Sequence, residues 1–463
     1  MRIFLTTLLF LTVFGATAQN SLNMNLIYQW SDSTLVASSA HLNTYNEVWG
    51  YEKQGKEYAI IGSTAGTHIF DITDLNQVDT VAFIPGKVQG SQIVHRDYDT
   101  YRDHLYIVSD EGASSLQIAD LSFLPDSVPV VYDEDSLIIT SHNIFIDTIS
   151  GNLYTCGGAT NLGANFLSVY SLTADPADPQ FVLNCANDVP FWNGTIGYLH
   201  DIFVRNDTAY CNAGEQGLFV VDFSNVANVQ GLGSLTSYTQ QGYNHSGWLH
   251  ESGNYYALAD ENHGLDVKII EVSNLSNITV IDTIGANTIQ SLSMAHNLIF
   301  KDDNLYVSHY FDGIYVFNTA DINNISLAGY YKTSESVHAN TIYQGCWGVY
   351  PFLSSGKILA SDMQEGLFVF NTNFPNSIIA ESDTRFNFLV YPNPTRNNIT
   401  VTTTLLQDAL TYSIIDLSGR VVQNGTLVKA QTSIDLTAVA QGVYVFSITQ
   451  HDGAVLTKKF IKE

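Results

Sequence analysis

The chain has 463 residues, of which 45 are Asp or Glu and 18 are Lys or Arg, so its formal net charge at pH 7 is −27. So few Lys and Arg residues exclude a surface that binds nucleic acid or anionic lipid, because binding either of them needs clustered Lys and Arg. The length exceeds what one ordinary hydrophobic core supports, so we expect more than one domain.

Residues 1–18 are typical of a secretory signal peptide. Arg2 provides a positive start, residues 3–14 are almost entirely apolar, and residues 16–18 are the small residues of a cleavage site. The apolar stretch is too short to span a bilayer, and no later stretch approaches the roughly 18 apolar residues that a membrane helix needs. The sequence therefore predicts an exported protein that is not transmembrane.

Five histidines recur along the chain at nearly regular intervals of 47, 58, 45 and 51 residues: His95, His142, His200, His245 and His296. Trp49 lies 46 residues before the first, and Trp347 lies 51 residues after the last. These positions divide the chain into seven units, and a period of about 40–50 residues is typical of β-propeller blades.

Each unit contains four short runs rich in β-branched and aromatic residues, bounded by Gly, Asn and Asp. The first run begins at the recurring residue, as in 142–146, and the third starts at Gly and ends at Asp or Asn, as in 217–222 and 313–318. Such runs are typical of strands and turns, and no sustained 3.6-residue period indicates helix. Radial packing of seven sheets would bury their faces and leave only short edges. We therefore predict an all-β fold, a seven-bladed β-propeller over residues 24–383.

Two segments are candidates for the outer strand that closes the ring. One is residues 25–30, before the first unit, and the other is residues 377–380, after the third run of the last unit. The sequence leaves the choice between them open.

Several segments resemble the bacterial choice-of-anchor B family, namely residues 47–51, 58–62, 69–74, 244–249 and 346–351. The recurring third runs also resemble the LVIVD repeat associated with that family. The resemblance implies an exported, propeller-like domain attached to varied surface-anchoring tails, and it brings no established catalytic activity.

The last 76 residues, 388–463, have a different pattern of alternating short strands, which predicts a small β-sandwich. Residues 391–394, 416–420, 436–444 and 458–460 resemble a type A sorting domain of the type IX secretion system. This resemblance implies that the type IX machinery carries the protein from the periplasm to the outer-membrane surface or the medium. Whether the tail is then cleaved stays open, and a generic carbohydrate-binding sandwich is the alternative.

The four cysteines are Cys156, Cys185, Cys211 and Cys346, and an exported protein meets an oxidising compartment. Four cysteines allow three pairings. We expect a Cys156–Cys185 disulfide, because both residues fall at strand ends within one unit.

The histidines begin the innermost strands, so we expect them to line one mouth of the axial channel. In an antiparallel sheet the second strand ends beside the start of the first. We therefore expect five acidic residues that end or follow second strands to join the histidines, with Trp49 and Trp347 forming an aromatic side. These acidic residues are Asp110, Asp260, Asp362, Glu111 and Glu261.

Imidazoles and carboxylates together suit a divalent cation or an acid–base pair. A metal has no use for fivefold regularity, however, so the pattern favours histidines that brace their own blades. A divalent cation is the one cofactor that the pattern suggests.

Two functions follow, and the first is preferred. It is a non-catalytic propeller that binds an extracellular protein, a glycan or a small ligand on its loops and channel mouth. The alternative is a divalent-metal-assisted extracellular hydrolase, motivated by the expected pairs His95–Asp110 and His245–Asp260. No residue is assigned as catalytic.

Overall fold

The computed structural model describes residues 21–286, 293–335, 342–374, 388–391, 393–403, 410–416, 420–429, 431–449 and 455–463. The chain forms two compact units, residues 1–376 and 377–463. The predicted signal peptide and the candidate closing segment 377–380 lie outside the described residues. No helix in the described ranges is long and apolar enough to cross a membrane.

The first unit is a ring of seven antiparallel sheets, here called blades 1 to 7 in chain order; each has four strands, and blade 6 has a short fifth strand, Ser21–Leu22, at its outer edge. In blades 1 to 6 the four strands follow each other along the chain and across the sheet. From the innermost strand outward, the strands are Tyr45–Lys53, Lys56–Ser63, Gly66–Asp71 and Asp79–Pro85 in blade 1; Asp97–Tyr101, His104–Val108, Leu116–Asp120 and Val130–Glu134 in blade 2; Asn143–Asp147, Asn152–Thr160, Gly163–Ser171 and Gln180–Asn184 in blade 3; Asp201–Arg205, Thr208–Asn212, Leu218–Asp222 and Gln230–Leu235 in blade 4; Asn244–Leu249, Tyr255–Asp260, Val267–Glu271 and Thr279–Ile284 in blade 5; Leu298–Lys301, Asn304–His309, Gly313–Asn318 and Ser326–Tyr331 in blade 6; and Cys346–Tyr350, Ile358–Asp362, Gly366–Thr372 and Met24–Trp30 in blade 7.

The inner strand of every blade contacts the inner strands of its two neighbours, and that of blade 7 contacts that of blade 1. The ring is therefore closed, and the predicted seven-bladed propeller is confirmed. Helix in the described residues is limited to three single turns, Leu121–Phe123, Cys185–Asp188 and Trp192–Thr195.

The N-terminal strand closes the ring. Met24–Trp30 pairs antiparallel with Gly366–Thr372 and so becomes the outer strand of blade 7. Just before it, Ser21–Leu22 pairs with the outer strand of blade 6. Strands from opposite ends of the first unit thus hold the first and last blades together, which settles the choice that the sequence left open in favour of the N-terminal segment.

The hydrophobic core lies between the blades, because each blade buries both of its faces against its neighbours. The second and third strands are therefore apolar along nearly their whole length, as in Leu218–Asp222, where only the final Asp is partly exposed. The cluster between blades 3 and 4 contains the fully buried Trp192 and Phe223. Continuous apolar runs of this kind are typical of strands covered on both sides.

The four cysteines are free and buried, so the expected Cys156–Cys185 disulfide is wrong. Within blade 3, Cys156 lies opposite Leu167 on the third strand, and Cys185 follows the end of the fourth strand, beyond Leu167. Two strand spacings are roughly 9–10 Å, whereas the Cα atoms of a disulfide lie less than about 7 Å apart. The intervening strand therefore keeps the two thiols apart.

The second unit is a β-sandwich, which confirms the fold class predicted for the tail. One sheet contains Phe388–Tyr391, Asn398–Thr403 and Gln431–Asp435, and the other contains Val421–Leu427, Leu410–Asp416, Gly442–Thr449 and Val455–Lys462 in that spatial order. Its core includes the buried side chains of Ile399, Ile414, Phe446 and Phe460.

Candidate functional site

The structure places all five recurring histidines at one mouth of the channel between the blades. Each lies within two residues of the start of an inner strand. The imidazoles of successive blades therefore lie at the same level of the channel. They line a cavity of about 300 Å³ together with His41, Val94, Asp110, Glu111, Glu261, Tyr310, Tyr343 and Trp347. We call this the imidazole cavity.

The imidazoles form a nearly closed circle of ring contacts. The ring centroids of neighbouring histidines are 4.0, 4.1, 4.0 and 4.5 Å apart, from His95 round to His296. Trp347 completes the circle, with its centroid 4.5 Å from that of His296 and 5.6 Å from that of His95. Blades 2 to 7 thus each contribute one aromatic ring, and we call the six rings the aromatic circle.

Two of the histidines are oriented by hydrogen bonds through Nδ1. His142 Nδ1 lies 2.6 Å from Asp110 Oδ2, and His296 Nδ1 donates to the carbonyl oxygen of Trp347 at 2.6 Å. In the described part of the chain, the Nδ1 atoms of His95, His200 and His245 are buried without a hydrogen-bond partner. The histidines are therefore not uniform braces, because neighbours in the circle differ in what holds them.

Burial and the Asp110 carboxylate set the charges of the circle. Burial lowers the pKa of His95, His200 and His245 well below 6.5 and that of His296 to about 3. Burial acts in the same direction on His142, but the hydrogen bond and charge of Asp110 outweigh it and raise the pKa to about 9. At pH 7 the circle therefore carries one imidazolium and four neutral imidazoles.

Three of the predicted carboxylates line the imidazole cavity. Asp110 of blade 2 lies beside His95, with ligand atoms of the two residues within 4.8 Å of each other, but its hydrogen bond goes to His142 of blade 3. Glu111 accepts a hydrogen bond from the backbone N–H of His95 at 3.2 Å. Burial and the neighbouring Asp110 raise the pKa of Glu111 to about 8.

Glu261 is the third carboxylate of the cavity. It accepts a hydrogen bond from Tyr310 Oη at 2.6 Å, and its Oε2 lies 3.8 Å from His245 Nε2. Burial raises the pKa of Glu261 to about 7. Its carboxyl group therefore titrates near neutral pH, well above the range of an exposed Glu.

The other two predicted carboxylates lie away from the cavity. Asp260 Oδ2 forms a fully buried ion pair with Lys268 Nζ at 2.6 Å, so the expected His245–Asp260 pair is wrong. Asp362 accepts a hydrogen bond from Thr333 Oγ1 at 2.6 Å. Both residues end second strands as predicted, but Asp260 pairs with the third strand of its own blade, and Asp362 pairs with the segment that follows the outer strand of blade 6.

Trp49 does not join Trp347, so the expected aromatic side of the channel is wrong. The inner strands of blades 1, 5 and 7 share an irregular register after Tyr45, Asn244 and Cys346. Because of this shared register, Asn46, and not Trp49, occupies in blade 1 the position that His245 occupies in blade 5 and Trp347 in blade 7. Trp49 instead packs on Tyr350 with centroids 5.0 Å apart.

A second polar layer lies deeper along the inner strands, and sequence reasoning missed it. It lines a cavity of about 70 Å³ and consists of Glu47, Asp97, Asn143, Asp201, Ser246 and Asn297. Burial raises the pKa of Glu47 and Asp201 to about 8 and that of Asp97 to about 6. The sequence does contain a pattern that indicates this layer, because four of the five recurring histidines are followed directly by Asn, Asp or Ser.

Two family models match parts of the chain. Residues 389–463 match the secretion system C-terminal sorting domain, and residues 196–236 and 249–284 match the LVIVD repeat. The chain therefore carries a type IX sorting domain and LVIVD repeats, as predicted, and the sorting domain indicates secretion to the cell surface or the extracellular space. No curated protein matches the chain, and the resemblance to the choice-of-anchor B family stays a prediction.

A solved β-propeller shares the fold at low sequence identity. The β-propeller domain of Cps50 (Swd1) from Myceliophteria thermophila matches with a TM-score of 0.50 and 11% identity, over 76% of this chain and 100% of that chain. PorZ of Porphyromonas gingivalis, a bacterial surface component of the type-IX secretion system, matches with a TM-score of 0.47 and 13% identity. That match covers 92% of this chain and 61% of PorZ. At such identities the similarity concerns the fold alone.

Proposed function

We propose that the protein acts outside the cell or on its surface as a non-catalytic binding propeller, with the imidazole cavity as its ligand site. The observation that carries this proposal is the convergence of six rings from six blades on one cavity of about 300 Å³. The type IX machinery that handles the sorting domain would be its export partner.

The size and lining of the cavity favour a small ligand over a protein or a glycan chain. Its volume is at the lower end of the range for small-molecule pockets, which is about 300–1,000 Å³. Trp347, Tyr310 and Tyr343 supply flat apolar walls, while the imidazoles supply directional nitrogen atoms. The closed ring of blades is the rigid scaffold that holds them.

One observation supports hydrolysis as a second candidate function. Glu261 has a pKa of about 7 and lies 3.8 Å from His245, so it has the proton affinity of a general base. A metal-bound water within reach of Glu261 would complete a hydrolytic site. The first function remains the better supported, because Glu261 already accepts a hydrogen bond from Tyr310.

The test is thermal unfolding of the exported chain in the presence of single compounds. The panel contains monosaccharides, amino acids, nucleosides, short carboxylic acids and divalent metal chlorides. We expect at least one class to raise Tm, because a ligand that binds only the folded state stabilises it. His245→Gln should abolish the increase, and His104→Ala should preserve it. His104 is a matched control, since it begins a second strand and bonds to the Arg102 carbonyl oxygen, away from the cavity.

A panel without any stabilising compound would contradict the proposed site, as would an increase that survives His245→Gln. Hydrolysis of p-nitrophenyl acetate or p-nitrophenyl phosphate that disappears in Glu261→Gln would favour the second function.

A further inference from the structure

We infer that the imidazole cavity binds one divalent transition-metal ion, with His142, His200 and His245 as its protein ligands. Asp110 would then be the positioning residue that orients His142. This inference rests on the proposed function, since it names the ligand of the same cavity. It also accounts for the differences among the histidines, which bracing of each blade does not explain.

The three ligand atoms are already close together. One nitrogen of each of the three imidazoles lies within 4.8 Å of the others. Nitrogen ligands of a tetrahedral zinc ion lie about 2.0–2.1 Å from the metal, so they are roughly 3.4 Å from each other. Since 4.8 Å is the upper limit of these separations, the nitrogens need to approach one another by at most about 1.4 Å, a shift of the size that small side-chain rotations supply.

The hydrogen bonds behind the circle are those of metal-binding histidines. A metal-bound imidazole usually donates its other N–H to a carboxylate or a backbone carbonyl, which selects the tautomer and the orientation of the ring. His142 has such a carboxylate in Asp110, and His296 has such a carbonyl in Trp347. In His296 a proton on Nδ1 leaves the lone pair on Nε2, whereas in His142 the metal would displace the proton that the imidazolium carries on Nε2. The circle is thus supplied with oriented nitrogen ligands.

Unpaired buried nitrogens are a second, independent sign of a missing ligand. Of the proposed ligands, His245 is 3% exposed and His200 is 8% exposed. Within the described residues, neither ring has a hydrogen-bond partner at Nδ1. Buried polar atoms are almost always paired. A bound ion would let these rings turn to place a nitrogen on the metal.

The chemistry of the cavity selects the class of ion. Imidazole nitrogen suits Zn²⁺, Cu²⁺, Ni²⁺ and Fe²⁺, whereas Ca²⁺ and Mg²⁺ prefer oxygen ligands. The carboxyl groups of Asp110, Glu111 and Glu261 border the circle, and the ionised Asp110 supplies negative charge toward a cation. Glu261 is also within reach of a fourth position, since it forms a ligand group with His245 and His296.

The test uses the full chain after removal of metals with a chelator. Zn²⁺ and Co²⁺, each alone, are titrated by calorimetry, and the visible absorption of Co²⁺ reports its coordination. We expect one ion per chain. His142→Gln, His200→Gln and His245→Gln should each weaken the affinity at least about 30-fold. Asp110→Asn should weaken it about 10–100-fold while preserving the Co²⁺ spectrum, and His104→Ala should change neither.

Failure of the wild-type chain to bind either ion would overturn the inference, as would unchanged affinity in the three glutamine variants. Circular dichroism identifies any variant that does not fold, and Asp110→Asn keeps the test decisive because it leaves the circle intact. If metals do not bind but an organic compound of the panel does, and His245→Gln abolishes that binding, the metal is wrong and the proposed function stands. If nothing binds at the cavity, both are wrong.

Discussion

The buried ion pair of blade 5 gives the sharpest prediction about stability. Lys268 and Asp260 are both fully buried, and Nζ lies 2.6 Å from Oδ2. Tyr238 Oη donates to the other oxygen, Asp260 Oδ1, at 2.8 Å. Lys268→Met keeps most of the side-chain volume but removes the only positive charge that faces Asp260 Oδ2 among the described residues.

The size of the effect follows from the geometry. At 2.6 Å and an effective dielectric constant of about 20, the attraction between two unit charges is about 6 kcal/mol. Much of this attraction only offsets the free-energy cost of removing both charges from water. Removing one partner of a buried pair, however, leaves the other charge buried and uncompensated. We therefore expect Lys268→Met to lower the free energy of unfolding by about 3–5 kcal/mol.

The assay is urea unfolding at pH 7, followed by tryptophan fluorescence, in a double-mutant cycle. Asp260→Asn should also be destabilising, because it leaves Lys268 without its partner. The double variant should lose less than the sum of the two single losses, by at least about 2 kcal/mol, since the charges are removed together. Ser276→Ala, on an exposed turn of the same blade, is the control that should change nothing. A loss below about 1 kcal/mol in Lys268→Met, or additive single effects, would refute the reasoning.

Four further predictions concern the rest of the chain. Burial raises the pKa of Asp201 from 3.8 to about 8, so its stabilising contribution is present at low pH and is lost as the pH rises toward 8. In urea unfolding, the free energy of unfolding of Asp201→Asn should therefore exceed that of the wild type by on the order of 2–5 kcal/mol at pH 9 and by little at pH 4. Equal pH profiles of the two proteins would contradict this. Titration of the denatured, unreduced chain with a thiol reagent should find four free thiols, whereas two would indicate a disulfide. Deleting residues 21–30 removes the closing strand, so thermal unfolding should begin at a lower temperature than in the full chain, and an unchanged Tm would show that the ring closes without it. Deleting residues 389–463 should leave a folded propeller in the periplasm, and immunodetection of that truncation on the cell surface would contradict the role of the sorting domain.

The architecture was predictable because its signals are local. Strand-forming runs, turn residues and a period of about 40–50 residues are each contained in one unit. Seven repetitions of a sheet that cannot bury both faces alone leave radial packing as the consistent solution. The tail was predictable for the same reason, since its motifs lie within one short segment.

The site was predictable only in part, because contacts between blades are not contained in any one unit. The sequence brought the five histidines to one level, but it did not show that Asp110 would reach the histidine of the next blade. In blade 1 the spacing of the units predicted that Trp49 faces the channel mouth. An irregular register after Tyr45 instead puts Asn46, three residues earlier, at that position. A period measures the distance along the chain, whereas a bulge changes which side chain faces the axis.

Seven similar sheets, imidazoles at the inner edge of five of them and an export domain behind them could all be inferred from residue patterns within single segments. The strand that closes the ring, the separation of the thiols and the pairing of carboxylates with imidazoles became known only from the folded chain. The physical reason is that hydrogen bonding within a strand pair depends on neighbouring residues, whereas side chains of adjacent blades meet according to the twist and register of two separate sheets.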